Sequence, residues 1–303
     1  MTNEIPSVLV SLSNELANVV ERVAPSVVRV DDGSRLTATG IVWSADGSII
    51  TTSHGVERDE DLTIELHDGT RHAAKVVGRD HDTDLALLRV DAQNLTPIEH
   101  APNDAVKTGH LVLALGRPGD AGLQATIGII SARLESQSNG QPEYVLHTDA
   151  VFYPGFSGGP LVNTNGQAVG LNNLVYGRGR GVALGLPTVT HVADALLEHG
   201  QVQRGYLGIR MQLVALPTHL RQSLNLSQEQ GLLIVQVENG SPAEKGGLLL
   251  GDTLLSFNGH TIEDVEELRH ELRDLAAGQN VTLRILRGGE VRDVNVTLQA
   301  ATS

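Results

Sequence analysis

Asp149-Ala150-Val151-Phe152-Tyr153-Pro154-Gly155-Phe156-Ser157-Gly158-Gly159-Pro160-Leu161-Val162 is the stretch from which the rest of the chain can be read. A serine sits among glycines on a tight turn, and an apolar strand follows. Glycine permits turns that other residues resist and lets another backbone come close. Such a turn can expose the Ser157 hydroxyl while aiming the N–H groups of Gly155 and Ser157 at one point. That point is where a tetrahedral intermediate would carry its oxyanion. A serine hydroxyl is a weak nucleophile at neutral pH and needs a base, which in turn needs an orienting acid.

Both are present upstream. His54 follows the apolar run Ile49-Ile50-Thr51-Thr52, and Asp84 precedes Leu85-Ala86-Leu87-Leu88-Arg89-Val90. Imidazole titrates near neutral pH and suits the base. Asp82 lies two residues before Asp84 and would face the same side of an extended segment, so spacing alone leaves both as candidates for the acid. The chain order His, Asp, Ser matches chymotrypsin-like serine proteases and differs from that of subtilisins and α/β-hydrolases.

Around these residues the pattern is of many short strands separated by turns, such as Ser44-Ala45-Asp46-Gly47 and Asp68-Gly69. Two series emerge, one from Pro25 to Val90 and one from about Ala105 to Asn173. They predict a mainly β fold of two barrels with the three residues at their junction. Residues 7–23 space Val8, Leu9, Leu12, Leu16, Val19, Val20 and Val23 as on one face of a helix. A second helix is expected from Thr188 or Thr190 to Gly200. After the short linker Gln201–Arg204, Ser241-Pro242 marks a helix start. Asn258-Gly259 marks a hairpin, and Thr261-Ile262-Glu263-Asp264 reads as a capping box opening another helix.

With these motifs in place, residues 20–300 resemble the HtrA/Deg family of PDZ-containing serine proteases. The resemblance implies an N-terminal helical segment (1–23), a trypsin-like protease domain of two β-barrels (24–200) and a PDZ domain (204–303). It implies an ATP-independent serine endopeptidase acting on unfolded or misfolded protein. The family's Thr-Asp-Leu-Ala pattern matches Thr83–Ala86 and favours Asp84 as the acid. The family's carboxylate-binding loop falls on Tyr206-Leu207-Gly208-Ile209, where successive N–H groups would hold a peptide C-terminus. N-terminal segments in the family help to build trimers, so a homotrimer is expected.

Two positions depart from the family pattern. Phe156 stands where Asn is common, which puts a large apolar group beside the oxyanion hole. Gly55 follows His54 where the family has Val, which loosens that segment. A protease-inactive chaperone or peptide-binding adaptor is therefore the second reading. In this fold the S1 pocket is built from the stretch before the serine and the strand after it. Val151, Asn173 and Leu174 are its candidate lining, without an acidic group, and cleavage after small or medium aliphatic residues is expected.

Composition narrows the classes further. The chain has 303 residues, 40% apolar and 19% charged, which is ordinary for a globular protein. Its net charge of −14 disfavours nucleic acid or anionic membrane as a partner. It contains no cysteine, which excludes thiol catalysis and disulfides. The 12 histidines show no paired ligand spacing, so no metal site is expected, and with no Walker motif no cofactor is expected either. No apolar run approaches the roughly 18 residues of a membrane span. The N-terminus as given lacks the basic start of a signal peptide, so a cytoplasmic location is expected, or the periplasm or envelope if a leader is missing. The Arg178-Gly179-Arg180 stretch falls where the family has an activation loop.

Overall fold

A computed structural model describes residues 7–34, 36–138, 141–177, 181–202, 205–273, 275 and 277–300. The Arg178–Arg180 stretch and linker residues 203–204 therefore lie outside the described residues. The chain divides into two compact units, one of residues 1–137 and 141–202, the other of residues 203–303 with 138–140.

The first unit opens with helix α1, Val8–Val23, capped by the Ser7 hydroxyl, which accepts from the N–H of Val10. Its C-terminal half packs inward, with Val19 and Val23 buried and Leu16 and Val20 against the same core. Its first turns do not, because Val8 is 83% and Leu9 77% exposed. Six strands follow: β1 (Val27–Asp31), β2 (Ala38–Val42), β3 (Ser48–Thr52), β4 (Thr63–Glu65), β5 (Arg71–Asp80) and β6 (Leu85–Val90). They close into a barrel in the order β1-β2-β3-β6-β5-β4. Its interior is aliphatic, from Val28, Val30, Val42, Ile49, Ile64 and Leu88.

A second barrel is built from β7 (Leu111–Gly116), β8 (Gln124–Ser138), β9 (Gln141–Thr148), β10 (Pro160–Asn163), β11 (Ala168–Asn173) and β12 (Gly181–Gly185), in the order β10-β11-β12-β9-β8-β7. Phe156, Tyr144, Ile130 and Leu161 lie in its core. A third cluster, including Ile50, Leu87, Leu115 and Leu171, joins the barrels to α1 and to a later helix. A single helical turn, α2 (Leu174–Gly177), follows β11, and α3 (Leu186–His199) ends the unit. The expected cap at Thr188 or Thr190 is corrected: α3 starts after Gly185, with Pro187 in its first turn. Proline's fixed φ suits that position. Gly200 ends α3 in the left-handed region, at φ +71°.

The second unit has a short pair, β13 (Gly205–Tyr206) with β20 (Gln299–Ala300), and a sheet of β14 (Ile209–Ala215), β15 (Gln230–Val237), β16 (Thr253–Phe257), β18 (Asn280–Arg287) and β19 (Glu290–Thr297). The stub β17 (His260–Thr261) pairs with β16 across the Asn258-Gly259 turn. Both turn residues have positive φ, +48° and +86°, as a two-residue hairpin of this kind demands. Helices α4 (Thr218–Ser223), α5 (Pro242–Lys245) and α6 (Val265–Arg273) complete it. Ser241 caps α5 as expected, accepting from the N–H of Glu244 at 3.2 Å. The capping box at Thr261 is corrected, because Thr261 is used in pairing with Ser256. Asp264 takes that role instead, accepting from the N–H of Glu267 at 2.8 Å, while Glu267 accepts from the N–H of Glu263.

Candidate active site

The antiparallel pair β3–β6 sets the geometry. Its last rung is Thr52 opposite Leu85, so residues 54 and 84 lie just beyond the same end of one ladder. The Asp84 backbone sits in the left-handed region at φ +57°, a conformation Asp tolerates better than most residues. Its carbonyl accepts from the N–H of Ser53 at 2.8 Å. Its carboxylate accepts from the N–H of His54 at 2.9 Å and meets His54 Nδ1 at 2.5 Å. Asp82 does not take this place; its carbonyl accepts from the Tyr176 hydroxyl at 2.7 Å.

Two opposing effects act on Asp84. Burial would raise its carboxyl pKa, but hydrogen bonds from the His54 ring and backbone, the His54 charge and the Asn173 amide outweigh it. The net shift is downward, so the group is a carboxylate at neutral pH. As an acceptor it fixes the proton on His54 Nδ1 and leaves Nε2 free to accept. That nitrogen lies 3.1 Å from Ser157 Oγ. Ser157 is 4% exposed overall.

The serine loop is held by contacts with both barrels. Tyr153–Phe156 forms a turn closed by the N–H of Phe156 on the Tyr153 carbonyl at 2.9 Å, with Gly155 at φ +90°. Proline followed by a glycine of positive φ is the pattern of a type II turn. Thr39 of the first barrel braces this loop. Its N–H donates to the Ser157 carbonyl at 3.0 Å, and its hydroxyl donates to the Gly155 carbonyl at 2.6 Å. The approach is so close that a Cβ on Gly158 would lie 2.0 Å from the Thr39 carbonyl oxygen. Among the described residues, neither the Gly155 nor the Ser157 N–H has a protein acceptor. Thr39 escaped the sequence reading, because nothing in Ala38-Thr39-Gly40 signals a partner more than a hundred residues away.

The two departures from the family pattern have steric explanations. The Phe156 ring packs into the core of the second barrel. It is fully buried in the second barrel, against Gly116, where a Cβ would come within 2.5 Å of its ring. Gly55 is bare because a Cβ there would lie 2.7 Å from Ala38 Cβ and 2.9 Å from Thr52 Oγ1.

The proposed S1 residues part company. Val151 and Leu174 line a cavity of about 470 Å³ with Phe152, Ala150 and Gly181. Asp149 also borders it, with one carboxylate oxygen accepting from the N–H of Ile129 at 2.6 Å. Asn173 is not in that lining, which corrects its assignment. It is buried, and its amide donates to Asp84 Oδ2 at 2.8 Å. Its carbonyl oxygen accepts from the N–H groups of Val175 and Tyr176, and so caps α2. The N–H of Leu174 donates to Ser157 Oγ at 3.3 Å. Among the described residues no cluster of three or more His, Asp or Glu side chains could hold a metal.

In the second unit, Tyr206, Leu207, Gly208 and Ile209 run from β13 into β14 and border a groove of about 460 Å³. The groove lies between the free edge of β14 and α6, with Val265, Leu268 and Leu272 on the helix side. Gly208 has φ +76°, and a Cβ there would lie 2.3 Å from Ser241 Cβ. Such a sheet edge can accept an added strand. The Tyr206 hydroxyl hydrogen-bonds to Glu238.

Comparison with known proteins agrees with this geometry. Residues 38–171 match the trypsin-like peptidase domain family, and residues 205–298 match the PDZ domain family. A probable periplasmic serine endoprotease, DegP-like, of Chlamydia trachomatis is 37% identical over 268 residues, covering 86% of this chain and 53% of the relative. A probable periplasmic serine protease, do/HhoA-like, of Haemophilus influenzae is 35% identical, covering 87% and 58% respectively. The chain thus spans little more than half the length of these relatives. Among solved structures, the serine endoprotease from Yersinia pestis superposes with a TM-score of 0.75 at 31% identity, covering 99% of this chain and all of that one. The HtrA-type protease AlgW with decapeptide gives 0.73 at 30% identity, covering 95% and 99%. The expected cytoplasmic location is corrected by the periplasmic relatives, which point to the periplasm or cell envelope. That expectation rested on the first few residues, which carry no information about the folded domains. The chain belongs to the HtrA family of serine proteases, with a trypsin-like peptidase domain followed by a PDZ domain.

Proposed function

We propose that this chain is a serine endopeptidase that cleaves unfolded protein, with Ser157 as nucleophile, His54 as general base and acid, and Asp84 as orienting acid. The observation that carries this reading is the continuous contact from Asp84 Oδ2 to His54 Nδ1 (2.5 Å) and from His54 Nε2 to Ser157 Oγ (3.1 Å). Ser157 Oγ attacks the peptide carbonyl as its proton passes to His54 Nε2. Asp84 stabilises the imidazolium without taking the proton. The oxyanion is received by the N–H groups of Gly155 and Ser157. His54 then protonates the leaving amine, and water attacks the acyl-enzyme with His54 again as base. Val151 and Leu174 support a preference for small or medium aliphatic residues before the cut, and a substrate class exposed by unfolding fits that preference.

The groove between β14 and α6 supports binding of peptide C-termini, with the chain's Tyr206–Ile209 loop receiving the carboxylate. The AlgW structure that this chain resembles was solved with a decapeptide. The exposed apolar residues Val8, Leu9, Val10 and Leu12 support assembly through α1 into a trimer. Light scattering at micromolar concentration tests this: a trimer lost on deletion of residues 1–22 is expected, and a monomeric mass for the intact chain contradicts it. For the proteolytic reading, casein is incubated with the protein and with Ser157→Ala across pH and temperature, with and without C-terminal peptides. Cleavage by the first alone is expected. Equal, negligible cleavage by both would leave a peptide-binding protein without hydrolysis.

A further inference from the structure

We propose that Thr39, a fully buried residue of β2 in the first barrel, is a positioning residue for hydrolysis: its hydroxyl sets the direction of the two N–H groups that receive the oxyanion. This rests on the reading of Ser157, His54 and Asp84 as the hydrolytic triad. Peptide planes turn as rigid units, so each donor is aimed by the planes beside it. The Ser157 N–H belongs to the plane joining Phe156 and Ser157. The plane before it has its carbonyl, on Gly155, accepting from the Thr39 hydroxyl at 2.6 Å, and its N–H, on Phe156, donating to the Tyr153 carbonyl at 2.9 Å. The plane after it has its carbonyl, on Ser157, accepting from the Thr39 N–H at 3.0 Å, and its N–H, on Gly158, donating to the Asn172 carbonyl at 2.9 Å. Thr39 thus holds both neighbours of the plane that carries one donor. The other donor, the Gly155 N–H, shares the Gly155 α-carbon with the plane that the hydroxyl holds. Glycine turns more freely about that carbon than any other residue, so the angle has to be fixed from outside.

Arg117 decides the polarity of that hydroxyl. A threonine hydroxyl has one proton to give and can also accept. The Arg117 N–H donates to Thr39 Oγ1 at 2.8 Å, and the Gly155 carbonyl can only accept, so the hydroxyl proton goes to Gly155. Arg117 is itself buried and anchored, its Nε donating to the Val27 carbonyl at 3.2 Å. On the other side, the Thr39 carbonyl accepts from the Thr51 hydroxyl at 2.7 Å. Thr51 lies in β3, the strand that leads to His54, so one residue ties the oxyanion donors to the strand behind the base. A valine at position 39 would fill nearly the same volume and keep the backbone contacts. It would leave the Gly155 carbonyl and the Arg117 N–H without the hydroxyl that joins them, in a place closed to water. The Gly155 plane would then be free to turn, and both donors would lose their aim.

The test compares Thr39→Val, which keeps the shape and loses the hydroxyl, with Thr39→Ser, which keeps the hydroxyl and loses the methyl group. In steady-state hydrolysis of a fluorogenic peptide, Thr39→Val is expected to lower kcat about tenfold, less than the roughly 10²- to 10³-fold lost when an oxyanion donor is removed outright. KM is expected to stay nearly constant, because a fall confined to kcat marks an interaction made in the transition state. Thr39→Ser is expected to keep most of the wild-type rate. A loss that follows side-chain shape instead, with Thr39→Val no slower than Thr39→Ser, overturns the proposal. If Thr39→Val does not fold, Thr39→Ala against Thr39→Ser makes the same comparison, since those two differ only in the hydroxyl. A second readout needs no turnover. Hydrogen exchange followed by mass spectrometry reports the N–H groups of Phe156, Gly158 and Gly159, which donate to the Tyr153, Asn172 and Phe156 carbonyls. Exchange there about tenfold faster in the variant without the hydroxyl than in Thr39→Ser is expected. That result supports the hold on the loop even if the wild type cleaves nothing, in which case it is the triad reading that fails. Equal exchange in the two variants rejects the proposal whatever the activity.

Discussion

Replacing Asn173 with alanine isolates a contact that stands behind the triad. Asp84 Oδ2 has two donors, His54 Nδ1 at 2.5 Å and the Asn173 amide at 2.8 Å, and Asp84 Oδ1 has one, the His54 N–H. Asn173→Ala leaves Oδ2 with the imidazole alone in a place where water enters poorly, since Asn173 is fully buried. A hydrogen bond to a charged acceptor contributes about 1.5–3 kcal/mol. If all of that were lost between ground and transition state, the rate would fall about 10- to 150-fold, at about 1.4 kcal/mol per factor of ten. Asp84 is charged in both states, so the lower part of that range, roughly tenfold in kcat, is expected. The substitution also removes the cap of α2, where the Asn173 carbonyl oxygen accepts from Val175 and Tyr176 N–H groups. A lost cap costs about 1 kcal/mol and should loosen that turn without unfolding the barrel. The assay is steady-state hydrolysis of a fluorogenic peptide with an aliphatic residue before the scissile bond. A fall in kcat with KM nearly constant is expected. Activity within twofold of the wild type would show that the Asn173 contact does not support Asp84 in the reaction.

Other consequences are equally direct. Phe156→Ala removes a fully buried ring from the second barrel and should destabilise the chain by about 3–5 kcal/mol, read as a lower denaturant midpoint. An unchanged midpoint would mean that Phe156 is not packed as described. Asp32 is pulled in opposite directions, upward by burial and downward by hydrogen bonds from Ser34, Glu57 and Arg58, and the net shift is downward. A group whose carboxyl pKa is lower in the fold stabilises it above the unfolded value near 4 and loses that contribution as pH falls through the folded value. Asp32→Asn should therefore melt below the wild type at pH 7, and the gap should narrow below about pH 4; a constant gap would contradict this. Gly208→Val should abolish calorimetric binding of peptides with apolar C-termini to the full chain, because φ is +76° and Ser241 Cβ leaves no room.

The parts of the site that could be read in the sequence are those fixed by local chemistry. His54 was legible because it follows an apolar strand and Asp84 because it precedes one within the family's Thr-Asp-Leu-Ala pattern, and the β3–β6 ladder makes those two ends neighbours. Glycines around Ser157 declared the turn. The place of the Phe156 ring was not legible because it depends on Gly116, forty residues upstream at the end of β7, whose missing Cβ makes room for it. Asn173 was misread for a related reason. An amide at the end of a strand can point into a pocket or behind it, and only the position of Asp84 decides which. Thr261 and Asp264 both carry a capping pattern, and the choice between them depends on whether β16 has already taken Thr261 as a partner. For Phe156 and Asn173 the deciding contact is remote in the sequence and no local pattern reports it, whereas for Thr261 it is the strand pairing across the nearby Asn258-Gly259 turn.

The claim on which everything else depends is that Ser157 is a nucleophile activated by His54. The most direct measurement is covalent labelling with a fluorophosphonate, which phosphonylates an activated serine and expels fluoride. The labelled chain is digested and the modified residue located by mass spectrometry, with and without a C-terminal peptide added. Stoichiometric modification at Ser157 in the wild type, and its loss in His54→Ala, is the expected result. An unmodified Ser157 under both conditions, or labelling that persists undiminished in His54→Ala, would contradict the account.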